Sequence, residues 1–211
     1  MASITASIDK KMDKNMRVLI ISGFLGSGKT TLLLSLAKKM LARAYKIAII
    51  ENEIGEIGID GDYISRYGLE VQEIYGGCIC CTLNTNLRST LEKLGESYKP
   101  DWVILEPTGA AIPNDIVSTV SLYTNIVESY YVIGLIDPLR YEILVEMMTP
   151  LLDAQLESAD IIIINKIDEI RKKDLIAVKE RIKSRLKSDT PIALISAEKE
   201  INIDSLLDKV L

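Results

Sequence analysis

Histidine is absent from this chain of 211 residues, and cysteine is scarce. The sequence has no His and three Cys. The absence of histidine excludes Ser-His-Asp and Cys-His catalytic machinery, and it removes the commonest side-chain ligand of transition metals. Any transition-metal site in this chain must therefore use thiolates, carboxylates, backbone groups or water.

Long apolar runs are absent as well. No run approaches the roughly 20 apolar residues of a membrane-spanning helix, so we expect no membrane partner. The first 16 residues, MASITASIDKKMDKNM, contain no apolar secretory core, and we interpret residues 1–16 as a flexible polar lead-in. We therefore expect a cytoplasmic protein, in which cysteines stay reduced. The net charge is −5 and Lys and Arg are dispersed, which argues against a nucleic-acid partner.

What the sequence does contain is a series of short aliphatic runs separated by helix-length segments. Most runs are continuously apolar, which is typical of strands covered on both faces. The predicted strands are 17–22, 46–51, 69–74, 101–106, 130–137, 160–165 and 190–196, and the predicted helices are 29–44, 85–97, 142–159 and 170–188. This alternation predicts an α/β fold with a mostly parallel sheet and helices on both faces, formed by one domain over residues 17–211.

The segment GFLGSGKTT (23–31) follows the first predicted strand and opens a helix. It fits the pattern G-x-x-x-x-G-K-[ST], which predicts a phosphate loop and therefore a three-layer P-loop NTPase fold. The loop backbone and the helix N-terminus would bind phosphate oxygens, Lys29 would reach the β- and γ-phosphates, and Thr30 would ligate Mg²⁺. The predicted nucleotide-binding residues of this segment are Gly23, Gly26, Ser27, Gly28, Lys29, Thr30 and Thr31.

The segment IIIINKID (161–168) ends a predicted strand with residues suited to reading guanine. Asp168 would accept hydrogen bonds from the N1–H and the 2-amino group of guanine, whereas adenine offers it an acceptor instead. Lys166 would lay its aliphatic stem along the ring, and Asn165 would tie its own loop to the base edge and to the phosphate loop. Further on, Ser196, Ala197 and Glu198 follow another strand, and a backbone N–H there, in the first place that of Ala197, would donate to guanine O6. The sequence thus favours GTP over ATP.

All three cysteines lie within the six residues GGCICC (76–81), as Cys78, Cys80 and Cys81. Three thiolates suit Zn²⁺, Co²⁺ or Cu⁺, and they leave one open position on a four-coordinate ion. A structural role in the core and a redox switch are alternatives that the spacing leaves open.

Taken together, these motifs resemble the metallochaperone GTPases of the CobW family, which are related to the nickel-insertion GTPases of urease and hydrogenase maturation. The matching segments are GFLGSGKTT (23–31), ENEIGEIGID (51–60), GGCICC (76–81), ILEPTGAAIP (104–113), the stretch with Gln155, Ala159 and Asp160 that leads into IIIINKID (161–168), and SAE (196–198). The resemblance implies a GTPase of slow intrinsic rate that couples its GTP state to delivery of a transition metal, Zn²⁺ or Co²⁺, to a recipient metalloprotein. It also implies a GTP-dependent homodimer.

The resemblance further assigns the carboxylates. It implies that 51–60 is a nucleotide-sensitive switch, with Glu51 and Glu56 as ligands of the transferred metal and Glu53 acting on the attacking water. The sequence leaves the assignment among these three glutamates open. It also implies that Glu106 holds Mg²⁺ and takes part in catalysis, and that Gly109 places an N–H near the γ-phosphate.

The chain departs from the family in two respects. Members usually carry a second, C-terminal domain and often a histidine-rich segment, and neither is found in this sequence. Two other functions stay open at this point. One is a GTP-dependent assembly switch with structural cysteines, and the other is an ATPase of related fold.

Overall fold

The computed structural model describes residues 16–51, 70–73, 83–123, 125–187 and 189–211, and it describes only the backbone of residues 51, 70–73 and 83–86. Seven strands are found in these ranges. They are β1 (Met16–Gly23), β2 (Ile47–Glu51), β3 (Glu70–Glu73), β4 (Trp102–Glu106), β5 (Val127–Ile136), β6 (Ile161–Ile164) and β7 (Ile192–Leu194). Each lies on one of the seven aliphatic runs, so the strand predictions are confirmed to within a few residues at each end.

The helices cover more of the chain than the sequence predicted. They are α1 (Lys29–Ala42), α2 (Leu83–Lys93), α3 (Pro113–Ser121), α4 (Tyr141–Met147), α5 (Thr149–Glu157), α6 (Lys172–Arg185) and α7 (Ile203–Val210). A π-helical turn, Leu94–Tyr98, extends α2. Two of these helices, α3 and α7, were not predicted, and the single helix predicted over 142–159 is wrong because the chain forms two.

The break between α4 and α5 has a local cause. Met148 takes φ −137°, outside the helical region, and Pro150 occupies the first turn of α5. Proline has no N–H to continue the hydrogen bonds of a preceding helix, but it fits the first turn of a new one, where that N–H would have no partner. The apolar pattern continues across the break, and for this reason the pattern alone predicted one helix.

The strands form one sheet in the order β3-β2-β4-β1-β5-β6-β7. Every adjacent pair is parallel. Alternate strand residues face opposite layers: Leu19 belongs to a core with α1 and α7, whereas Ile20 belongs to a core with α2 to α6. Because both faces are buried, the strands read as continuous apolar runs. The predicted three-layer α/β fold is confirmed.

This topology determines where a ligand can bind. The central strand β1 pairs with β4 on one side and β5 on the other. In parallel α/β sheets, ligands bind at the carboxyl ends of the strands, at the point where the strand order changes direction. The loop after β1, which contains the phosphate-loop motif, lies at that point. None of the helices described here has the length and apolar character needed to cross a membrane.

Candidate functional site

The predicted phosphate loop connects the end of β1 at Gly23 to the start of α1 at Lys29. Gly26 and Gly28 take positive φ values of 77° and 93°, which residues with a side chain rarely adopt. A Cβ at Gly28 would also lie 2.4 Å from Asn165 Nδ2. In the described structure no side chain caps the N-terminus of α1, and its first turn has no acidic residue. The end of the helix can therefore receive an anion.

The predicted Mg²⁺ ligands lie beside each other. Thr30 Oγ1 donates a hydrogen bond of 3.1 Å to Glu106 Oε1, at the end of β4. Lys29 Nζ lies 3.9 Å from the same oxygen and 3.4 Å from Phe24 O. A hydroxyl and a carboxylate are oxygen donors of the kind that Mg²⁺ prefers, so these two residues fit that ion.

Glu51 lies next to this pair in the backbone. It ends β2, and its Cα is the register partner of Glu106 on β4. The chain therefore leaves β2, toward the segment predicted as a switch, at the same edge of the sheet as Thr30 and Glu106. Glu53 and Glu56 lie outside the described residues, as do Cys78, Cys80 and Cys81.

Asn165 joins the two predicted nucleotide-binding loops. It is 2% exposed. Its Nδ2 donates to Ser27 O at 2.9 Å, and its Oδ1 accepts from Ala197 N at 2.9 Å. One side chain thus ties the phosphate loop to the loop that follows β7. The sequence predicted the contact of Asn165 with the phosphate loop but not its contact with Ala197.

Lys166 reaches the phosphate loop from the same strand end. Its Nζ donates to Gly26 O at 2.7 Å and to Asp137 Oδ2 at 2.8 Å. Its backbone takes φ 57°, a left-handed conformation that is unfavourable for a residue with a Cβ. Such strain persists where the surrounding structure enforces it, commonly at functional sites.

Asp168 is exposed and is held ionised by its neighbours. The Ser196 hydroxyl donates to the carboxylate and so lowers the pKa of Asp168 below its usual value, with smaller lowering contributions from a backbone hydrogen bond and Lys199. Burial opposes this shift. Ser196 is fully buried, and its Oγ also accepts from Lys199 N at 3.1 Å. An ionised carboxylate is the form that accepts two hydrogen bonds from guanine.

The loop after β4 packs against the phosphate loop. A Cβ at Gly109 would lie 2.6 Å from Leu25 N, so only glycine allows this approach. Gln155, 4% exposed, donates through Nε2 to Gly109 O at 3.1 Å and to Ala111 O at 3.3 Å. Gln155 therefore fixes this loop to α5.

The remaining predicted residues divide between buried and exposed. Ser27 is buried, Thr31 is half-buried, and Glu198 is exposed. No group of three or more Cys, Asp or Glu side chains suited to a metal occurs among the residues that the structure describes.

Three residues at the site have no role predicted from the sequence: Asp137, Arg140 and Gln155. The signals in the sequence were that Asp137 ends the predicted strand 130–137 and that Gln155 lies in a stretch that resembles the CobW family.

Comparison with known proteins identifies the family of this chain. The family model for the CobW/HypB/UreG nucleotide-binding domain matches residues 17–194. The zinc chaperone CobW of Sinorhizobium sp is 33% identical over 196 residues, covering 79% of this chain and 55% of that protein. The zinc chaperone YeiR of Escherichia coli K12 is 36% identical over 154 residues, covering 72% of this chain and 47% of that protein.

A solved structure is also similar. The Zn(II)-bound YjiA GTPase of E. coli superposes with a TM-score of 0.57 at 28% identity, over 80% of this chain and 54% of that one. The chain spans about half the length of these relatives. The residues matched by the family model, 17–194, run from β1 through β7 and include the phosphate loop and Asn165, Lys166 and Asp168. The chain belongs to the CobW/HypB/UreG nucleotide-binding domain family.

Proposed function

We propose that this chain binds and slowly hydrolyses GTP, and that its GTP state controls the binding and delivery of a transition metal, with zinc as the first candidate. The observation that carries the nucleotide part is the Asn165 side chain, which joins the phosphate loop to the loop after β7 through two hydrogen bonds of 2.9 Å. This contact holds the proposed phosphate-binding and base-binding loops together, and we propose that the nucleotide binds in a cleft between them.

The phosphate end of the cleft is built to receive negative charge. Lys29 is 6% exposed and at present contacts Phe24 O and Glu106. A bound triphosphate would offer this ammonium group stronger acceptors, and the N-terminus of α1 would add its favourable dipole. Gly28 permits the close approach of backbone to phosphate that this geometry requires.

Magnesium would be held by Thr30 and Glu106, whose oxygens lie 3.1 Å apart. When bound, Mg²⁺ neutralises charge on the β- and γ-phosphates. Glu106 would hold the ion directly or through a water molecule. We assign Glu53 to the positioning of the attacking water.

The base end of the cleft favours guanine. The Asp168 carboxylate is ionised at neutral pH and can accept from N1–H and the 2-amino group, and the hydrogen bond from Ser196, which lowers the pKa of Asp168, extends this ionised form to lower pH. Adenine would leave the carboxylate facing the unprotonated N1, and such a mismatch at a polar site discriminates strongly. The Ala197 N–H, which the sequence favoured as the donor to guanine O6, donates instead to Asn165 Oδ1. A donor for guanine O6 from residues 196–198 would therefore require a second N–H of this loop.

The metal part rests on sequence and on relatives. The proteins named CobW and YeiR are zinc chaperones, and the YjiA GTPase structure contains Zn(II). Cys78, Cys80 and Cys81 supply thiolates, which suit zinc. Cys78 follows the last residue of β3 by five positions in the sequence. Because β3 and β2 end at the same edge of the sheet, Glu51 and Glu56 are reasonable carboxylate partners.

The coupling follows from the shared edge. Bound GTP would order the segments that follow β2 and β4 and so raise the affinity for zinc. Hydrolysis of GTP would loosen these segments, and the zinc ion would then be released. A recipient metalloprotein would accept the zinc through the open fourth position. A GTP-dependent homodimer that faces two such clefts toward each other is part of this proposal.

A competition experiment tests the nucleotide part. The affinities of GTP and ATP are measured by calorimetry with Mg²⁺, with phosphate release followed in parallel. We expect a preference for GTP of at least about 100-fold and a slow, Mg²⁺-dependent release of phosphate. Lys29→Ala should abolish both GTP binding and phosphate release. Equal affinity for ATP would instead support the related ATPase, and tight GTP binding without zinc binding would support an assembly switch.

A further inference from the structure

Asp137 lies at the end of β5 and is 3% exposed. Its Oδ1 accepts a hydrogen bond of 2.9 Å from Leu139 N, and its Oδ2 accepts one of 2.8 Å from Lys166 Nζ. Arg140 Nε lies 3.9 Å from the same Oδ2. A buried carboxylate needs such partners, because its desolvation is otherwise costly. Asp137 is thus the common counter-ion of two cations.

Both cations bind carbonyl groups of the phosphate loop. Lys166 Nζ donates to Gly26 O at 2.7 Å, and Arg140 Nη1 donates to Leu25 O at 3.2 Å. The guanidinium also covers Gly26, since a Cβ there would lie 2.7 Å from Arg140 Nη1. Two consecutive peptide groups of the loop are therefore held from one side by charged donors anchored to Asp137.

These two peptides belong to a β-turn. Ser27 N donates to Phe24 O at 3.1 Å, which closes the turn Phe24–Ser27. Gly26 occupies its third position with φ 77°, as a type II turn requires. A turn of this kind interconverts with type I by a flip of its central peptide, which here joins Leu25 to Gly26. The hydrogen bond from Arg140 to Leu25 O opposes that flip.

The direction of this peptide matters for an anion. The C=O and N–H of a trans peptide point in opposite directions. Holding Leu25 O toward Arg140 consequently points the Gly26 N–H away from it. Successive N–H groups directed inward form the concave site that binds phosphate oxygens in such loops.

From these contacts we propose that Asp137 and Arg140 are positioning residues for nucleotide phosphates: Asp137 anchors Arg140 and Lys166, and Arg140 fixes the peptide orientation that lets the Gly26 N–H bind a β- or γ-phosphate. This inference rests on the proposed nucleotide-binding function. Neither residue is required to touch the nucleotide, and their effect is exerted through the loop.

The test compares ligands that differ in phosphate number. GTP, GDP and GMP compete with a fluorescent GDP analogue for wild-type protein, Arg140→Met, Asp137→Asn and the double variant. Arg140→Met should lower the affinities for GTP and GDP about threefold to tenfold, which corresponds to the loss of one hydrogen bond. It should change the affinity for GMP by less than about twofold. Asp137→Asn should weaken GTP and GDP by more than about tenfold. The double variant should lose less than the product of the two single losses, because the residues act as one unit.

Arg88→Met is the matched control, since the Arg88 side chain is 60% exposed, much as that of Arg140 is, and pairs with Glu92 within α2. It should leave all three affinities unchanged. Arg140 is 59% exposed, so its replacement should not prevent folding even if that of Asp137 does. Circular dichroism and thermal unfolding verify the fold of each variant.

Two results would overturn the inference. One is an equal loss of GMP, GDP and GTP affinity in Arg140→Met. The other is a loss of hydrolysis rate in this variant with unchanged affinities, which would make Arg140 a catalytic residue instead. A wild-type preference for ATP would refute the proposed GTP specificity, and ATP, ADP and AMP would then test the same inference. Failure of the wild type to bind any of these nucleotides would refute both.

Discussion

Asn165 shows how much a single residue contributes at this site. Its amide donates to Ser27 O, accepts from Ala197 N, and its backbone N–H donates to Ile136 O. All of these groups are removed from water around a side chain that is 2% exposed. A buried amide whose nitrogen and oxygen are both hydrogen-bonded fixes two loops relative to one another. A smaller side chain would leave Ser27 O and Ala197 N without these hydrogen bonds.

Replacement of Asn165 by Ala should therefore reduce both stability and binding. We expect the free energy of unfolding to fall by about 2 kcal/mol, because a buried donor and a buried acceptor lose their partners. GTP affinity should fall by more than about tenfold, because the base-binding loop is no longer tied to the phosphate loop. Urea unfolding and calorimetry measure the two effects. Asn114→Ala, at an exposed position of α3, is the control, and an Asn165 variant indistinguishable from it would contradict this role.

Asp168 gives a prediction about base preference and pH. Asp168→Asn should reduce the preference for GTP over ATP by at least about tenfold, because an amide oxygen alone cannot accept from both guanine donors as a carboxylate does. The pKa of Asp168 is lowered, so the carboxylate stays ionised as pH falls and protonates only below its usual value. The GTP/ATP affinity ratio should thus be constant from pH 7 to pH 5.

Ser196→Ala tests the cause of this shift. Without the hydroxyl, the pKa of Asp168 should rise toward its usual value, and the GTP preference should begin to fall at a higher pH than in the wild type. NMR titration of the Asp168 carboxyl carbon measures the pKa directly. A titration that is the same in both proteins would show that Ser196 does not control this group.

At the scale of elements, the loop after β4 depends on α5 for its position. Gln155 on α5 holds Gly109 O and Ala111 O, and Gly109 lies against Leu25 of the phosphate loop. The loop is thus placed between a helix and the predicted site of the γ-phosphate. A change in this contact should therefore alter the affinity for GTP more than the affinity for GDP.

Gln155→Leu removes the donor while roughly keeping the side-chain volume. We expect the free energy of unfolding to fall by about 1–2 kcal/mol, because two backbone carbonyls lose a hydrogen-bond partner. The ratio of GTP to GDP affinity should fall several-fold, because Gly109 is no longer held near the γ-phosphate. Stopped-flow binding of the two nucleotides measures this ratio. An unchanged ratio in a folded variant would contradict the assignment of Gly109.

The elements also show what the sequence could and could not predict. The strands were predictable because both faces of each are buried, which makes the runs continuously apolar. Helix α3 was missed because ILEPTGAAIP (104–113) was read as a motif alone, although Pro113 suits a first helical turn. Helix α7 was missed because it follows the last recognised motif without a strand after it. The contact of Asn165 with the phosphate loop was predictable from its motif, whereas its contact with Ala197 was not.

Asp137 and Arg140 could not be found in the same way. No fixed spacing connects them to the phosphate loop, from which they are separated by more than 100 residues of sequence. They meet it because β5 pairs with β1, so the carboxyl ends of these two strands lie side by side. Such a contact depends on the order of strands in the sheet, and the aliphatic runs predict that strands exist but leave their order open.

At the scale of the whole molecule, the fold gathers the nucleotide-binding residues along one edge. The ends of β1, β4, β5 and β6 supply the phosphate loop, Glu106, Asp137 and Asn165. The neighbouring strands β2 and β3 end at the same edge, at Glu51 and Glu73, and from there the chain continues into the glutamate and cysteine motifs. The edge therefore joins the cleft for the nucleotide to the segments proposed to bind the metal.

This arrangement makes the coupling between nucleotide and metal the central claim. Zinc is titrated into the protein bound to GDP and to a non-hydrolysable GTP analogue, by calorimetry in competition with a chelator of known affinity. The protein with Cys78, Cys80 and Cys81 all replaced by Ser is the control. We predict zinc affinity at least about tenfold higher with the GTP analogue, an equal increase in analogue affinity with zinc, and loss of both effects in the control. Zinc affinity that is the same in the two nucleotide states would contradict the account.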